Sequence, residues 1–182
     1  GTPAWLHTYS RVDLPPGRMV GRFIRPGQLS QPVARIFAAS PAVVTGGLVF
    51  ALPVDAKNIL ILDEVTGRPV KQISRTSVGN ADTLIGVTRD TLVLSGEKSA
   101  IALDWKQANE DGEDQYDATR WQMEFPANSL RGRPFLTADS LFLPTDDRLL
   151  RIGTDKWKIE QTTPPYPDTW DLLDGPGNVI VT

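Results

Sequence analysis

Short apolar runs alternate with turn-forming residues along most of the chain. The runs LVFAL at 48–52 and TLVLS at 91–95 are rich in Val and Leu and are too short to form α-helices. Such nearly continuous apolar runs are typical of strands that are buried on both faces. Gly, Asp, Asn or Pro residues separate the runs and indicate tight turns between them. The pattern therefore predicts an all-β chain of short strands.

One segment, an apolar run ending in Asp and followed by a turn, recurs along the chain. It reads SRVDLPPGRMVGRF around Asp13 and LILDEVTGRPVKQI around Asp63, and this alignment matches Gly17 with Gly67. A third copy, IALD, ends at Asp104, where the acidic insertion QANEDGEDQYDAT separates it from its second half, RWQMEF. The fourth copy, LLRIGTDKWKIEQ, is shortened and has Gly in place of the Asp. Recurrence of this kind indicates a repeat architecture.

The turn in these copies has a physical explanation. Asp63 can accept hydrogen bonds from backbone N–H groups across the turn, and Gly67 can adopt a positive φ without a strained Cβ. Asp13 and Gly17 take the same positions in the first copy, and Asp104 takes the Asp position in the third. We therefore expect these residues to have a structural role.

A second apolar element precedes each later copy. It begins at Gly46 in GGLVFALP, at Arg89 in RDTLVLSG and at Asp139 in DSLFLPTD, and GNVIVT repeats it once more. Another short apolar piece lies ahead of each, which gives four β-like runs in every period. Four strands in about 40–45 residues is the size of one β-propeller blade. The sequence thus predicts a β-propeller of four-stranded antiparallel blades.

The phase of the repeat predicts how the blades divide residues 1–182, which we treat as a single propeller segment. An outer half-blade in 1–25, with strands near 6–12 and 18–24, leads into a Pro- and Gln-rich connection at 26–40. Full blades are expected at 41–75, 83–126 and 133–162, and an inner half-blade at 170–182. The two half-blades could pair and close a four-bladed ring. Alternatively, the chain is an open fragment of a larger ring, with open blade edges that favour association.

Composition limits the chemistry available to the chain. It has 182 residues, a formal net charge of −3, 15 Gly, 15 Pro, no Cys and a single His, His7. The lack of Cys excludes disulfides, thiolate zinc sites and cysteine nucleophiles, and one His cannot build a multi-histidine metal site. The slight negative charge disfavours nucleic-acid binding. No apolar run approaches the ~18–20 residues of a transmembrane helix, so we expect no transmembrane segment.

The segments ILILDEVTGRPVKQI and IALD…TRWQMEF resemble the repeat of the quinoprotein (PQQ-like) β-propeller family. A blade of that family has a strand ending in Leu-Asp, a Thr-Gly-Lys/Arg turn and a strand with Trp. The segment GRPFLTADSLFLPTDDRLLRI is also similar to PQQ-like repeat proteins of bacterial envelopes, and the resemblance covers roughly residues 5–182. It implies a ring of about seven or eight blades. It matches Asp13, Asp63 and Asp104 to the turn Asp, Gly17 and Gly67 to the turn Gly, and Trp121 to the Trp that docks between blades, with Gly21 and Gln72 in the Trp place of the first two copies.

The family has catalytic and non-catalytic members, and the catalytic parts that this chain lacks favour a function without catalysis. Catalytic family members hold PQQ over a calcium ion, with a catalytic Asp and two adjacent cysteines, and none of these can be placed on this chain. We therefore expect no catalytic, cofactor-binding or metal-binding residues and no cofactor. The family also has non-catalytic members that act as scaffolds, and the expected function is a scaffold or protein-interaction module of the bacterial envelope, located outside the cytoplasm. Its partner would be another protein or the remaining propeller blades. The alternative is a fragment of a PQQ-dependent dehydrogenase-like enzyme whose active-site residues lie outside this chain.

Other candidate sites have simpler interpretations. The acidic segment 109–117 lacks the ligand spacing of a calcium loop and is expected to be a solvated insertion. Two arginine clusters are interpreted as surface charge pairs, with an anion-binding patch as the alternative. The five Trp residues are expected to pack between blades, with those at 105 and 157 more exposed, and His7 is expected on the surface or hydrogen-bonded. No nucleophile with a partnered base emerges at Thr45 or Ser129. The arginine clusters comprise Arg18, Arg22 and Arg25, and Arg131, Arg133, Arg148 and Arg151.

Overall fold

The computed structural model describes residues 4–11, 40–96, 98–109, 115–126, 130 and 132–166. The described chain folds into three consecutive four-stranded sheets. The 3₁₀ helix η1 (Thr76–Val78) lies between the first and second sheets, and η2 (Tyr116–Ala118) lies within the second sheet, before its last strand. The connection predicted at 26–40 lies outside these residues except for Ser40. The half-blade predicted at 170–182, the strand predicted near 18–24, and the candidates Asp13, Gly17, Gly21 and Arg131 also lie outside them.

Each sheet is an antiparallel meander in which neighbours in sequence are neighbours in space. Blade 1 contains β1 (Val43–Thr45), β2 (Leu48–Ala51), β3 (Asn58–Asp63) and β4 (Pro69–Ser74). Blade 2 contains β5 (Thr83–Thr88), β6 (Thr91–Ser95), β7 (Ser99–Asp104) and β8 (Thr119–Glu124). Blade 3 contains β9 (Phe135–Leu136), β10 (Ser140–Pro144), β11 (Leu149–Gly153) and β12 (Lys158–Thr162). The predicted all-β, propeller-type architecture of four-stranded antiparallel blades is confirmed.

Blade 2 shares a hydrophobic core with each neighbouring blade. Because successive strand residues point to opposite faces, Leu92 and Leu94 of β6 pack toward blade 1, whereas Val93 packs toward blade 3. The innermost strand β5 contacts both β1 and β9, so the first strands of the three blades are adjacent. This alternation explains why the run 91–95 is apolar throughout. The first core includes Phe50, Ile61, Leu92 and Leu103, and the second includes Val93, Ala102, Leu141 and Ile152.

The outer strand of every blade has a β-bulge at the same place. The pairing of β3 with β4 shifts between Ile61 and Leu62, and equivalent shifts occur in the other two blades. In each case one residue of the outer strand is left without a partner opposite it. These residues are Val70, Arg120 and Glu160.

The first described segment, 4–11, lies along blade 1. The strand predicted near 6–12 is wrong for its described part, because residues 4–11 form only one bridge, between Arg11 and Ala56. Side chains, and not a backbone ladder, hold the segment: Tyr9 donates a hydrogen bond to Asp55 at 2.9 Å, and Arg11 pairs with the same carboxylate. No helix in the described part of the chain has the length and apolar character needed to cross a membrane.

Candidate functional site

One end of the three blades presents the first and third turns of each meander, and we call this end the turn face. The third strands of blades 1 and 2 end here at Asp63 and Asp104, and Gly153 takes the equivalent place in blade 3. In each blade the next residue donates its N–H to a carbonyl of the first turn, at 2.9–3.1 Å. In all three blades, the same backbone hydrogen bond therefore joins the third turn to the first turn. The pairs are Glu64 to Gly47, Trp105 to Asp90, and Thr154 to Asp139.

The Asp63 carboxylate organises the turn of blade 1. Its Oδ1 accepts hydrogen bonds from the N–H and the hydroxyl of Thr66, both at 2.7 Å, and from the N–H of Val65 at 3.2 Å. Gly67 completes the turn with φ of 67°. The hydrogen bonds from Thr66, the side-chain one first, hold the pKa of Asp63 below its ordinary value.

The Asp104 carboxylate has the same position in blade 2 and is almost fully buried, with 9% of its side chain exposed. Burial alone would raise the pKa of this carboxyl. The hydrogen bond from Arg120 and those from the N–H groups of Gln107 and Lys106 outweigh that effect, so the pKa of Asp104 is lowered. Asp104 thus anchors both the turn and the bulged residue of the outer strand.

The lowered pKa values of Asp63 and Asp104 predict a loss of stability in acid. The unfolded chain takes up protons at these groups before the folded chain does, because its Asp residues titrate at about pH 4. The stabilisation is therefore complete at neutral pH and is lost as the pH falls through the folded-state pKa values. Asp104→Asn should be less stable than the wild type at neutral pH, and its stability should fall less between neutral pH and about pH 3. Urea unfolding across this range tests the prediction, and parallel pH profiles for the two proteins would contradict it.

Trp5 packs directly on the glycine of the blade 1 turn. A Cβ built on Gly67 would overlap the Trp5 ring. The Trp5 Nε1 also donates a hydrogen bond to the carbonyl of Glu64 at 2.9 Å. The segment 4–11 is thereby fixed to the turn face at one end and to Asp55 at the other. Neither contact was anticipated from the sequence, although Trp5 was expected to pack between blades.

Trp121, in the outer strand β8 of blade 2, contacts blade 3. Its ring stacks on Trp157 with centroids 6.0 Å apart and an interplanar angle of 25°. Trp157 is only 9% exposed, so the expectation that it is more exposed is wrong, because Trp121 covers it. Trp105 is half-buried and meets Phe50 edge-on at 5.4 Å.

The position equivalent to Trp121 in blade 1 is Lys71, and the assignment of Gln72 to it is wrong. Trp121 pairs with Ala102, two residues before Asp104, and the residue two before Asp63 pairs with Lys71. Lys71 also reaches blade 2, where its Nζ donates a hydrogen bond to the carbonyl of Lys106 at 2.7 Å. The Lys71 ammonium group therefore connects blade 1 to blade 2, as the Trp121 indole connects blade 2 to blade 3.

A cleft of about 330 Å³ opens on the turn face between blades 2 and 3. Its walls come from different blades and differ in charge, since blade 2 supplies two arginines and blade 3 supplies two aspartates. Three threonines, one Ala and one Trp complete the lining. The blade 2 wall consists of Thr88, Arg89, Thr91 and Arg120, and the blade 3 wall of Ala138, Asp139, Thr154, Asp155 and Trp157.

Two lining residues have left-handed backbone conformations. Arg89 has φ of 50° and Trp157 has φ of 51°, and in the described chain the only other non-glycine residue with positive φ is Asn80. The left-handed region costs a residue with a Cβ about 1–2 kcal/mol. Blade 1 has glycine at both corresponding turn positions, Gly46 and Gly67. Large side chains therefore replace turn glycines on both sides of the cleft.

The described arginines of the second cluster make local contacts. Arg148 pairs with Asp147, as expected for charge compensation, and borders a second cavity of about 460 Å³ at the opposite end of the blades. Arg151 donates a hydrogen bond to Ser140 at 3.0 Å and pairs with Glu160. The clustered arginines thus belong to separate local networks.

The remaining candidates occupy scattered positions. The acidic insertion lies between β7 and β8, and Gln115 closes its base through hydrogen bonds with the backbone of Asn109 at 2.8 and 2.9 Å. His7 is half-buried, and its Nε2 is enclosed without a hydrogen-bond partner among the described residues, so the expected surface position holds only in part and no hydrogen bond of Nε2 is found. Exposed and half-buried residues alternate along segment 4–11, and Trp5 and His7 are both on its half-buried side. Thr45 ends β1, and Ser129 lies outside the described residues. In the parts of the chain that the structure describes, no group of three or more His, Asp or Glu residues could hold a metal ion.

No protein-family model and no curated protein matches the chain. Among solved structures, the chain is similar to BamB from Moraxella catarrhalis, with 17% identity and a TM-score of 0.46 over 65% of this chain and 34% of that one. It is also similar to a europium-containing methanol dehydrogenase, with 12% identity and a TM-score of 0.44 over 67% and 24% of the two chains. Hsv2 from Kluyvelomyces marxianus matches with 13% identity and a TM-score of 0.43 over 66% and 46%. The matched region is thus less than half the length of each of these proteins.

Proposed function

We propose that this chain is a non-catalytic propeller module that binds another protein in the bacterial envelope. The observation that carries the proposal is a set of three exposed apolar side chains carried by the blade 1 turn, strand β4 and the segment 4–11 fixed on that turn, which we call the apolar corner. Its members are Leu6, Val65 and Val70, which are 91%, 80% and 50% exposed. We propose that these three side chains together form one contact surface, since contiguous exposed apolar patches are typical of protein–protein contact sites.

The apolar corner is held in place by the contacts of the blade 1 turn. Val65 lies in the turn that Asp63 organises, and Val70 is the bulged residue of β4. Leu6 follows Trp5, whose ring and Nε1 are fixed on the same turn. A partner would therefore meet a largely preformed surface, which lowers the entropy cost of binding.

The envelope location and the absence of catalysis rest on the resemblance to PQQ-like repeat proteins. The alternative of a dehydrogenase fragment predicts that a longer protein, which joins this chain to the active-site residues outside it, binds PQQ and calcium together and oxidises alcohols. We expect neither saturable PQQ binding nor dehydrogenase activity when such a longer protein is titrated with PQQ in the presence of calcium. Saturable binding with activity would overturn the proposed function.

Site-specific photo-crosslinking in cells tests the apolar corner. A photo-reactive residue at Val65 should give a discrete protein adduct, identified by mass spectrometry. The matched control is Val54, which is 45% exposed and lies in the loop between β2 and β3, at the opposite end of the blade. Val65→Ser combined with Leu6→Ser should abolish the adduct formed by a reactive residue at Val70. The proposal fails if adducts form equally from positions 54 and 65, or if the double substitution leaves the adduct unchanged.

A further inference from the structure

The cleft between blades 2 and 3 separates its charges by wall. Arg89 and Arg120 lie on the blade 2 wall, and Asp139 and Asp155 lie on the blade 3 wall. No ion pair joins the two walls among these four described residues. Arg120 instead pairs with Asp104 in its own blade, whereas Arg89 has no ion pair or hydrogen bond from its guanidinium among the described residues. Among the described residues, Arg89 is therefore a cation without an ion pair, and the aspartates of the opposite wall form no ion pair across the cleft.

The carboxylates of the opposite wall are fixed by short contacts on their own side. Asp139 accepts a hydrogen bond from the hydroxyl of Thr137 at 2.7 Å, and Asp155 accepts one from the N–H of Lys156 at 2.8 Å. Each carboxylate keeps further lone pairs for a ligand, because an ionised carboxylate can accept about four hydrogen bonds. Asp139 also feels the positive charge of Arg151 in its own blade, so the anionic wall is oriented and its charge is only partly compensated.

Two residues that line the cleft have a strained, left-handed backbone at turn positions where blade 1 has glycine. They are Arg89 and Trp157. Strained backbone of this kind is typical of functional sites, where the side chain contributes something that a glycine cannot. For Arg89 the fold offers no structural explanation, because its guanidinium makes no described contact. Its side chain is therefore available to a ligand.

We propose that this cleft binds a small zwitterion of the amino-acid class, with the ligand carboxylate at Arg89 and the ligand ammonium at Asp155 and Asp139. A simple anion would meet the two aspartates, and a simple cation would meet Arg89, so only a ligand that carries both charges complements both walls. The volume of about 330 Å³ is at the lower end of the range for small-ligand sites. The threonine hydroxyls can add neutral hydrogen bonds. This proposal is independent of the protein-binding function, which uses the apolar corner of blade 1.

NMR titration of the full chain tests the proposal, because it detects weak and saturable binding. The probes are glycine, L-serine and L-leucine as zwitterions, propionate as an anion only, and ethylamine as a cation only. We expect the zwitterions to shift the backbone amide signals of Thr88–Thr91 and the Arg89 Nε–H signal to saturation. Propionate and ethylamine should bind at least about tenfold more weakly, since each lacks one charge-assisted contact.

Arg89→Gly gives the sharpest variant, because it restores the residue type of blade 1 and removes the strain. It should weaken zwitterion binding by at least about tenfold while leaving the thermal midpoint unchanged or raised. Asp155→Asn should weaken the zwitterions and leave propionate unaffected or bound more tightly. Arg68→Gln, which removes an exposed turn-face guanidinium away from the cleft, should change nothing.

Three outcomes would overturn the proposal: no saturable shifts with any zwitterion, propionate binding as tightly as the zwitterions, or full binding by Arg89→Gly. Failure of these titrations leaves the crosslinking result at Val65 untouched, so the two proposals fail separately.

Discussion

Replacing Gly67 by alanine should destabilise the protein by roughly 2–4 kcal/mol, because the new methyl group meets both an unfavourable backbone conformation and the Trp5 ring. Gly67 has φ of 67°, where a Cβ is strained, and a Cβ at this position would overlap the indole. The ring would have to leave the turn, with loss of its hydrogen bond to Glu64. Urea unfolding followed by far-ultraviolet circular dichroism measures the change.

Gly46→Ala is the matched control for this substitution. Gly46 has φ of 59°, yet a Cβ there would meet nothing within 4 Å. Its substitution should therefore cost only the backbone term of about 1–2 kcal/mol. In a Trp5→Ala background, Gly67→Ala should cost no more than Gly46→Ala, which a double-mutant cycle reveals. Equal costs for the two glycine substitutions in the wild-type background would show that Trp5 does not bear on Gly67.

Leu141→Ala should cost about 2–5 kcal/mol, the range for removing a fully buried leucine side chain from a core. Leu141 has 0% exposure and belongs to the core between blades 2 and 3. Because each blade shares a core only with its neighbours, the damage should concentrate near that interface. Hydrogen exchange should accelerate most in β9–β12 and least in β1–β4.

Val54→Ala is the control for Leu141→Ala, since Val54 is 45% exposed and its substitution should change stability by less than about 0.5 kcal/mol. A uniform acceleration of exchange in all three blades of Leu141→Ala would contradict local damage. It would mean that the three blades unfold as one cooperative unit.

The strands themselves could be predicted because their sequence pattern depends on local burial. The run 91–95 is apolar at successive positions because blade 2 is covered on both faces, and that requirement is visible in the sequence. The alternation of Gly-, Asp- and Pro-containing turns with these runs supplied the remaining information. Four-stranded blades followed from the four apolar runs in each period of about 40–45 residues.

Equivalent positions in the outer strands could not be found by counting residues. The long insertion before β8 breaks the numerical correspondence between blades, so that only the ladder identifies Lys71 with Trp121. The packing of Trp5 on Gly67 joins residues far apart in sequence, and no local pattern indicates it.

The cleft was partly visible in the sequence. Aligning the second element places Arg89 where blade 1 has Gly46, and the same comparison in the shortened copy places Trp157 where blade 1 has Gly67. A large residue in a glycine position is a detectable departure from the repeat. The separation of charges between the two walls was not detectable, because it depends on which turns face each other across adjacent blades.

The bulges repeated in all three outer strands bear on how the protein avoids forming fibrils. A regular outer strand offers a flat row of N–H and C=O groups onto which a strand from another molecule can add indefinitely. A bulge bends and twists the strand that contains it. The bulged residues lie at equivalent positions of the three outer strands, and two of them carry a charge: Val70, Arg120 and Glu160. Every blade thus has its own barrier to cross-β growth, even if a neighbouring blade unfolds.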